Sequence, residues 1–119
     1  MQPVSRALHA IKMKDTTELK INACHLAKKL LSSDEDYLDI TLELWRTGEK
    51  LLGPVWDSEF HIFGVISSDT DHLPLKHVRQ HCSAKMLEKS DKELNEIIRD
   101  NKNEVTEACK SILENYEHM

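Results

Sequence analysis

Polar side chains of several reactive types crowd into residues 67–81 of this 119-residue chain. They directly follow the apolar run Phe60–Ile66, and they include carboxylates, hydroxyls, imidazoles and one guanidinium. Such groups can bind a metal ion or a small ligand, or they can fix a turn through hydrogen bonds. The candidate binding residues of this stretch are Ser68, Asp69, Asp71, His72 and Arg79.

Two histidines in this stretch suggest a metal site. His77 and His81 are four residues apart, so a helix would place both imidazoles on one side, as zinc sites use. Asp69 or Asp71 would add a carboxylate ligand and leave a coordination position open. The glutamate of the H-E-x-x-H motif is absent, and Arg79 between the histidines disfavours a cation unless a carboxylate pairs with it. We therefore expect no cofactor, with zinc at these two histidines as the alternative.

The same stretch also has a purely structural interpretation. Short polar side chains commonly bond back to the nearby backbone, and Asp71 is placed to cap a helix that begins near Leu73. Arg79 would lie about two turns into that helix and would pair with Asp69. The sequence leaves both interpretations open: a binding site, or a cluster of polar residues that fixes the loop.

Other catalytic arrangements are incomplete in this sequence. Cys82 beside His77 or His81 would supply a nucleophile and a base, but no oxyanion donors can be identified. Aspartate-based phosphotransfer would need a parallel sheet, and the chain has one candidate strand. Four aromatic residues suit a core better than a small-molecule pocket: Trp45, Trp56, Phe60 and Phe63. The sequence therefore does not predict an enzyme.

Apolar residues at helical spacing predict the elements that position these groups. A short first helix covers about 4–11, and a second helix runs from the capping residues 15–17 to about Leu31. A third helix covers about 35–52, with a capping box at 33–36 and a stop at Gly53-Pro54. These three helices make up the first half of the chain.

The second half is predicted to contain two more helices. One covers about 73–89, and the other begins at a capping box formed by Ser90 and Glu93 and ends near Tyr116. Between the two halves, the aromatic and β-branched residues of 60–66 predict a short strand or an extended segment. A lone strand needs a partner, which a second copy of the chain would supply in a homodimer.

The composition supports one all-α domain over residues 1–119. Only three glycines and three prolines occur, which argues against a turn-rich β architecture. Charged residues make up 31% of the chain and hydrophobic residues 39%, a balance that suits helices with one apolar stripe. We therefore expect a bundle of about five helices, with residues 60–66 as the one extended segment.

The charge distribution bears on the partners of the protein. The net charge of −5 argues against nucleic acid, because phosphate contacts need a basic surface. Residues 1–33 carry six Lys/Arg and two Asp/Glu, whereas residues 34–59 carry two Lys/Arg and eight Asp/Glu. The basic and acidic segments would pair with each other in the fold, or the acidic segment would steer a basic partner toward the protein.

The cysteines and the hydropathy pattern bear on location. Three cysteines far apart, with no C-x-x-C, are typical of free thiols in a reducing cytoplasm. No apolar run reaches the roughly 18 residues that are needed to span a bilayer. We therefore expect a cytoplasmic protein with no membrane contact.

The motif Ser68-Asp69-Thr70-Asp71-His72-Leu73-Pro74 resembles that of a family of small uncharacterised bacterial proteins. In that family an apolar run leads to Ser-Glu-Thr-Asp-His-Leu-Pro, followed by a glycine, an arginine and a last helix containing Ala-Cys. Ala108-Cys109 matches that ending, while Asp69 replaces the glutamate and Lys76 replaces the glycine. The resemblance implies a helical bacterial protein of the type found on mobile gene cassettes or beside toxins, as immunity proteins.

Two functions follow as expectations. The first is a non-enzymatic protein-interaction domain, similar to an immunity protein or antitoxin, whose partner is a basic protein such as a nuclease toxin. The alternative is a protein that binds a metal or a small molecule through Asp69, Asp71, His72, His77 and His81. The alternative requires these side chains to converge in one cleft.

Overall fold

A computed structural model describes residues 2–55 and 57–117 of the chain, with side chains at 16–55, 57–75 and 77–117. Within these ranges the chain forms five helices and no strand, which confirms the predicted all-α bundle. The helices are α1 (Gln2–Ser32), α2 (Tyr37–Leu52), α3 (His61–Thr70), α4 (Lys76–Arg79) and α5 (Ala84–Tyr116).

Helix α1 is a single helix where two helices were predicted. Residues 15–17 offer capping oxygens, but neither glycine nor proline interrupts the chain between Val4 and Ser32. Aspartate and threonine in a helix interior cost at most about 0.7 kcal/mol each relative to alanine, so the helix continues through them. The predicted break at residues 15–17 is therefore wrong.

Helix α2 confirms the predicted third helix, although its first turn is built differently. Asp36 adopts a left-handed conformation with a φ of 55° and makes no capping bond, so the predicted capping box does not form. Instead, the Ser33 hydroxyl accepts a hydrogen bond from the backbone N–H of Glu35, at 3.0 Å. Gly53, with a φ of 78°, ends α2 at the predicted stop.

Helix α3 contains the residues that were predicted to be extended. Phe60, Phe63 and Ile66 are three residues apart and all essentially inaccessible to solvent, which is the spacing of a buried helix face. Because α3 packs against both α2 and α5, burial outweighs the strand propensity of its residues. The strand prediction is wrong, and pairing of strand edges at 60–66 cannot form a homodimer.

The region after α3 also differs from the prediction. The helix predicted at 73–89 is divided: α4 covers Lys76–Arg79, and residues 84–89 belong to α5, which begins at Ala84 rather than after Ser90. The Ser83 hydroxyl caps α5 by accepting a hydrogen bond from the Met86 N–H at 3.1 Å. Ser90 and Glu93 therefore lie inside a continuous helix. The predicted capping box does not form there, because a Ser-x-x-Glu sequence caps a helix only where the helix begins.

The two long helices run antiparallel. Lys20 near the middle of α1 lies 5.9 Å from the ring centroid of Tyr116 at the end of α5, whereas Asp34, after α1, bonds Lys102 at 2.8 Å. Helix α2 packs on α1, and α3 closes the core between α2 and α5. The largest side chains with no exposure in this core are Phe60, Phe63, Leu44 and Ile112.

The ion pairs of the described residues do not join the basic N-terminal segment to the acidic segment as predicted. Lys28 of α1 pairs with Glu117 at 2.5 Å, and Asp34 pairs with Lys102 of α5. Lys28 and Asp34 thus each pair with a residue of α5 or the residue after it. None of the helices described is long and apolar enough to cross a membrane.

Candidate functional site

The candidate site stretch is attached to α5 by a histidine–carboxylate contact and by an arginine–aspartate ion pair. His72 Nε2 lies 2.7 Å from Glu93 Oε1, and the Arg79 guanidinium donates to both carboxylate oxygens of Asp91, at 2.6 and 3.0 Å. The hydrogen bonds from Arg79 lower the pKa of Asp91. The predicted pairing of Arg79 with Asp69 is therefore wrong, and the segment after α3 is fixed to the first half of α5.

The motif residues divide into buried and exposed groups. Thr70 is buried and its hydroxyl donates to the Ile66 carbonyl at 2.7 Å, while Leu73 packs inward with 7% exposure. Ser68, Asp69 and Asp71 are exposed. Asp71 follows the end of α3 rather than capping the next helix, so that prediction is wrong as well.

The two histidines of the alternative zinc site do not lie on one helix. His77 lies in the four-residue α4, His81 lies in the turn after it, and both are exposed. No group of three or more His, Cys, Asp or Glu side chains that could hold a metal ion occurs among the residues the structure describes. The convergence that the metal hypothesis requires is therefore not found in this part of the chain.

The thiols offer no assembled nucleophile in the described residues. Cys24 and Cys109 are buried in the core, and burial raises the pKa of Cys109 to about 12. Cys82 is half-buried after α4, and its sulfur lies 3.7 Å from the Val78 carbonyl. A buried thiol with a raised pKa is a poor nucleophile.

Most of the aromatic residues proposed for a pocket or a core belong to the core. Phe60 and Phe63 are fully buried, and Trp45 packs against the core as a partly buried side chain. Trp56 lies outside the described residues. The core interpretation is confirmed for the three aromatic residues that are described.

A groove of about 330 Å³ lies where the start of α2 meets the segment after α3 and the first half of α5. We call it the acidic groove, because three aspartates line it: Asp34, Asp36 and Asp39. The same groove has an apolar wall, which consists of Leu38, Pro74, Leu75, Leu94 and Ile98. Among the described residues that line it, the one lysine or arginine is Arg79, which is bonded to Asp91. Carboxylates beside apolar side chains suit a ligand that is both cationic and partly apolar.

Tyr37 is an additional polar group in the wall of the acidic groove. Its side chain is 4% exposed, and its hydroxyl has no hydrogen-bond partner among the described residues. Burial raises the pKa of Tyr37 to about 12, and the charges of Cys109 and Asp34 act in the same direction. A buried hydroxyl without a hydrogen-bond partner lowers the stability of the fold.

Sequence reasoning missed the groove residues of α5 and the partners of the motif. Asp91 lies on the apolar stripe of α5, between Leu87 and Leu94, where a carboxylate is out of place. A charged residue on an otherwise apolar helix face signals a buried or half-buried partner. That signal could have identified Asp91 as the partner of Arg79.

The Arg79–Asp91 pair gives a testable prediction about how the segment is held. A double-mutant cycle with Arg79→Ala and Asp91→Ala is expected to yield a coupling energy of about 1 kcal/mol at neutral pH, since these side chains remain 35% and 46% exposed. The folded-state pKa of Asp91 is lowered, so the coupling is present above the ordinary pKa of an aspartate and is lost as the pH falls through the lowered value. Urea unfolding of the four proteins at neutral and acid pH measures this. A coupling that persists at the lowest pH would contradict a charge-based contact.

No protein-family model, curated protein or solved structure matches this chain. The resemblance to the bacterial family with the Ser-Glu-Thr-Asp-His-Leu-Pro motif therefore stays a prediction.

Proposed function

We propose that this chain is a non-enzymatic protein-interaction domain that binds a basic protein through the acidic groove. The observation that carries the proposal is the groove itself, which is lined both by three aspartates, one of them paired with Lys102, and by five apolar side chains. Cationic side chains with long aliphatic stems, lysine and arginine, match both surfaces at once.

The charge around the groove supports the same partner class. Asp34, Glu35 and Asp36 are exposed in the connection between α1 and α2, and Asp39 follows in the first turn of α2. Clustered carboxylates of this kind accelerate association with a basic protein by electrostatic steering. An immunity-like or antitoxin-like role, in which the partner is a basic toxin, is the specific form of the proposal.

The cellular setting belongs to the proposal too. All three thiols are free, as is typical of proteins in a reducing compartment. The neutralising partner of an intracellular toxin acts in the cytoplasm, and we place this chain there. The metal-binding alternative receives no support from the described side chains.

The test compares two variants of equal charge. One neutralises the groove region with Asp34→Asn, Glu35→Gln, Asp36→Asn and Asp39→Asn. The control neutralises the exposed face of α5 with Glu96→Gln, Asp100→Asn, Glu104→Gln and Glu107→Gln. Each variant removes four negative charges, which changes the net charge from −5 to −1. Asparagine also tolerates the left-handed conformation at position 36.

Proteins captured from a lysate of the source organism by the wild-type chain would then be purified, and their association rates measured for the three forms. We expect the groove variant to associate roughly tenfold or more slowly at low salt, and the α5 control to stay within about twofold of the wild type. If the association rate falls equally for the two variants, net charge alone explains the effect, and the proposal that the groove binds the partner is contradicted. Partners that are not basic would contradict the proposed partner class.

A further inference from the structure

A second groove lies where the two antiparallel helices α1 and α5 meet. It is formed by one face of α1 and the end of α5, and it has a volume of about 280 Å³. None of its lining residues belongs to the acidic groove. A ligand bound there would therefore be independent of the proposed protein partner.

The surface of this second groove is partly apolar. Ile21 is 65% exposed, more than any other large hydrophobic side chain among the described residues. It lies beside Tyr116, whose ring is half-buried and stacks against the core residue Phe60 with 6.3 Å between centroids. An exposed isoleucine that lines the same groove as an aromatic ring forms an apolar surface to which the apolar part of a ligand can bind.

The charged groups of the second groove are mainly cationic. Lys20 lies over the Tyr116 ring, at 5.9 Å from its centroid, and Lys28 pairs with Glu117 at 2.5 Å. His25 lines the same surface and is exposed. Among the described residues that line it, two lysines and one glutamate leave one net positive charge with neutral histidine, on a protein whose net charge is −5. That contrast gives the groove a preference for anions.

We propose that the second groove binds a small organic anion with an apolar body, namely an aliphatic carboxylate of medium chain length. The carboxylate bonds to Lys20, with His25 alongside, and the aliphatic chain lies across Ile21 and the Tyr116 ring. Lys28 stays paired with Glu117, so Lys20 supplies the net positive charge of the groove. A medium-length chain fits a volume of about 280 Å³, whereas long-chain lipids would extend beyond it.

The test titrates sodium octanoate into the isotopically labelled full chain and follows backbone amide shifts by NMR. Octanol, which has the same apolar body without the charge, is the matched ligand control. Ile21→Glu places a carboxylate in the groove, and Leu31→Glu makes the same chemical change on α1 outside it, at a side chain that is 40% exposed. Lys20→Met keeps the aliphatic stem and removes the ammonium, with Lys29→Met as its control on the same helix.

We expect the shifts to concentrate on residues 17–28 and 116–117. Octanoate should bind about fivefold more tightly than octanol, which corresponds to one exposed charge contact. Ile21→Glu should weaken octanoate binding at least about tenfold and Lys20→Met about fivefold, while both controls stay at the wild-type value. The proposal is overturned if the shifts spread over the whole surface, if octanol binds as tightly, or if Leu31→Glu weakens binding as much as Ile21→Glu.

Discussion

Replacing Gly48 with alanine is expected to lower the free energy of unfolding by about 3 kcal/mol, although alanine is the better helix former. Gly48 is buried in α2, and a Cβ there would lie 2.5 Å from Cγ of Phe60 and 2.7 Å from its Cβ. The Phe60 ring is fully buried and has no space into which to rotate. The added methyl group must therefore push apart α2 and the start of α3.

A cycle with Phe60→Ala separates this clash from other effects. Phe60→Ala alone should cost about 3–5 kcal/mol through the cavity it leaves. In that background, Gly48→Ala should cost clearly less than in the wild type, because the ring atoms at 2.5 and 2.8 Å are gone. A smaller cost should remain, since alanine at position 60 keeps the Cβ that lies 2.7 Å from the added methyl group. Denaturant unfolding of the four proteins gives the cycle directly.

Gly53→Ala is the matched control for this cycle. A Cβ at Gly53 meets nothing within 4 Å, but the φ of 78° strains any other residue type. Its cost of about 1 kcal/mol should be the same with and without Phe60. If Gly48→Ala costs as little as Gly53→Ala in the wild-type background, the close contact between α2 and Phe60 is contradicted.

The second large effect is expected at alkaline pH. Tyr37 and Tyr116 are the two tyrosines of the chain, and burial is the main cause that raises the pKa of each above its usual value. A raised folded-state pKa means that the stabilisation is complete below pH 10, where an unfolded tyrosine begins to ionise, and is lost as the pH rises. For Tyr37 the loss approaches about 1.4 kcal/mol per pH unit between pH 10 and about 12.

Tyr37→Phe isolates this effect. At neutral pH the variant should be as stable as the wild type or more stable by up to about 1 kcal/mol, because it removes a buried hydroxyl that has no partner among the described residues. Above pH 10 its advantage should grow by about 1.4 kcal/mol per pH unit. Unfolding measured at several pH values, together with the phenolate absorbance of the folded protein, tests both expectations. A Tyr37 that ionises near pH 10 in the folded state would contradict its burial.

Tyr116→Phe is the comparison for the other ring. A hydrogen bond with Glu59 also contributes to the raised pKa of Tyr116, so removal of its hydroxyl loses a contact as well as a titrating group. This variant should therefore be less stable than the wild type at neutral pH, by about 1 kcal/mol. At pH 7 the two variants should change the free energy of unfolding in opposite directions. This would distinguish the Tyr37 hydroxyl, which has no partner among the described residues, from the Tyr116 hydroxyl, which is bonded to Glu59.

The parts of the fold that could be predicted from sequence are those where a local signal agrees with the packing. Helix α2 is bounded by Gly53-Pro54, and the apolar stripe of α5 is continuous through Val105, Cys109 and Ile112, so both elements were identified. Segment 60–66 was misassigned because a buried helix and a strand share aromatic and β-branched residues. The segment is buried because it packs between α2 and α5. These contacts are distant in sequence, so the seven residues of the segment do not reveal them.

The prediction of the candidate site is incomplete for a similar reason. The polar motif was found, but its partners Asp91 and Glu93 were not, because their role depends on where α5 begins. Placing that start at Ser90 instead of Ser83 assigned Glu93 to a helix cap and gave Asp91 no partner. The groove could not be inferred either, since its walls come from three segments that are distant in sequence.

The antiparallel pairing of α1 with α5 has a consequence for synthesis of the chain. The Cys24 sulfur contacts the Ile112 carbonyl, 88 positions away, and the Asp34–Lys102 bond spans 68 positions. A ribosome therefore releases the apolar face of α1 long before the helix that covers it exists. During that interval α1 and α2 can pack only against each other and α3, so part of the apolar core stays exposed and prone to aggregation until α5 emerges.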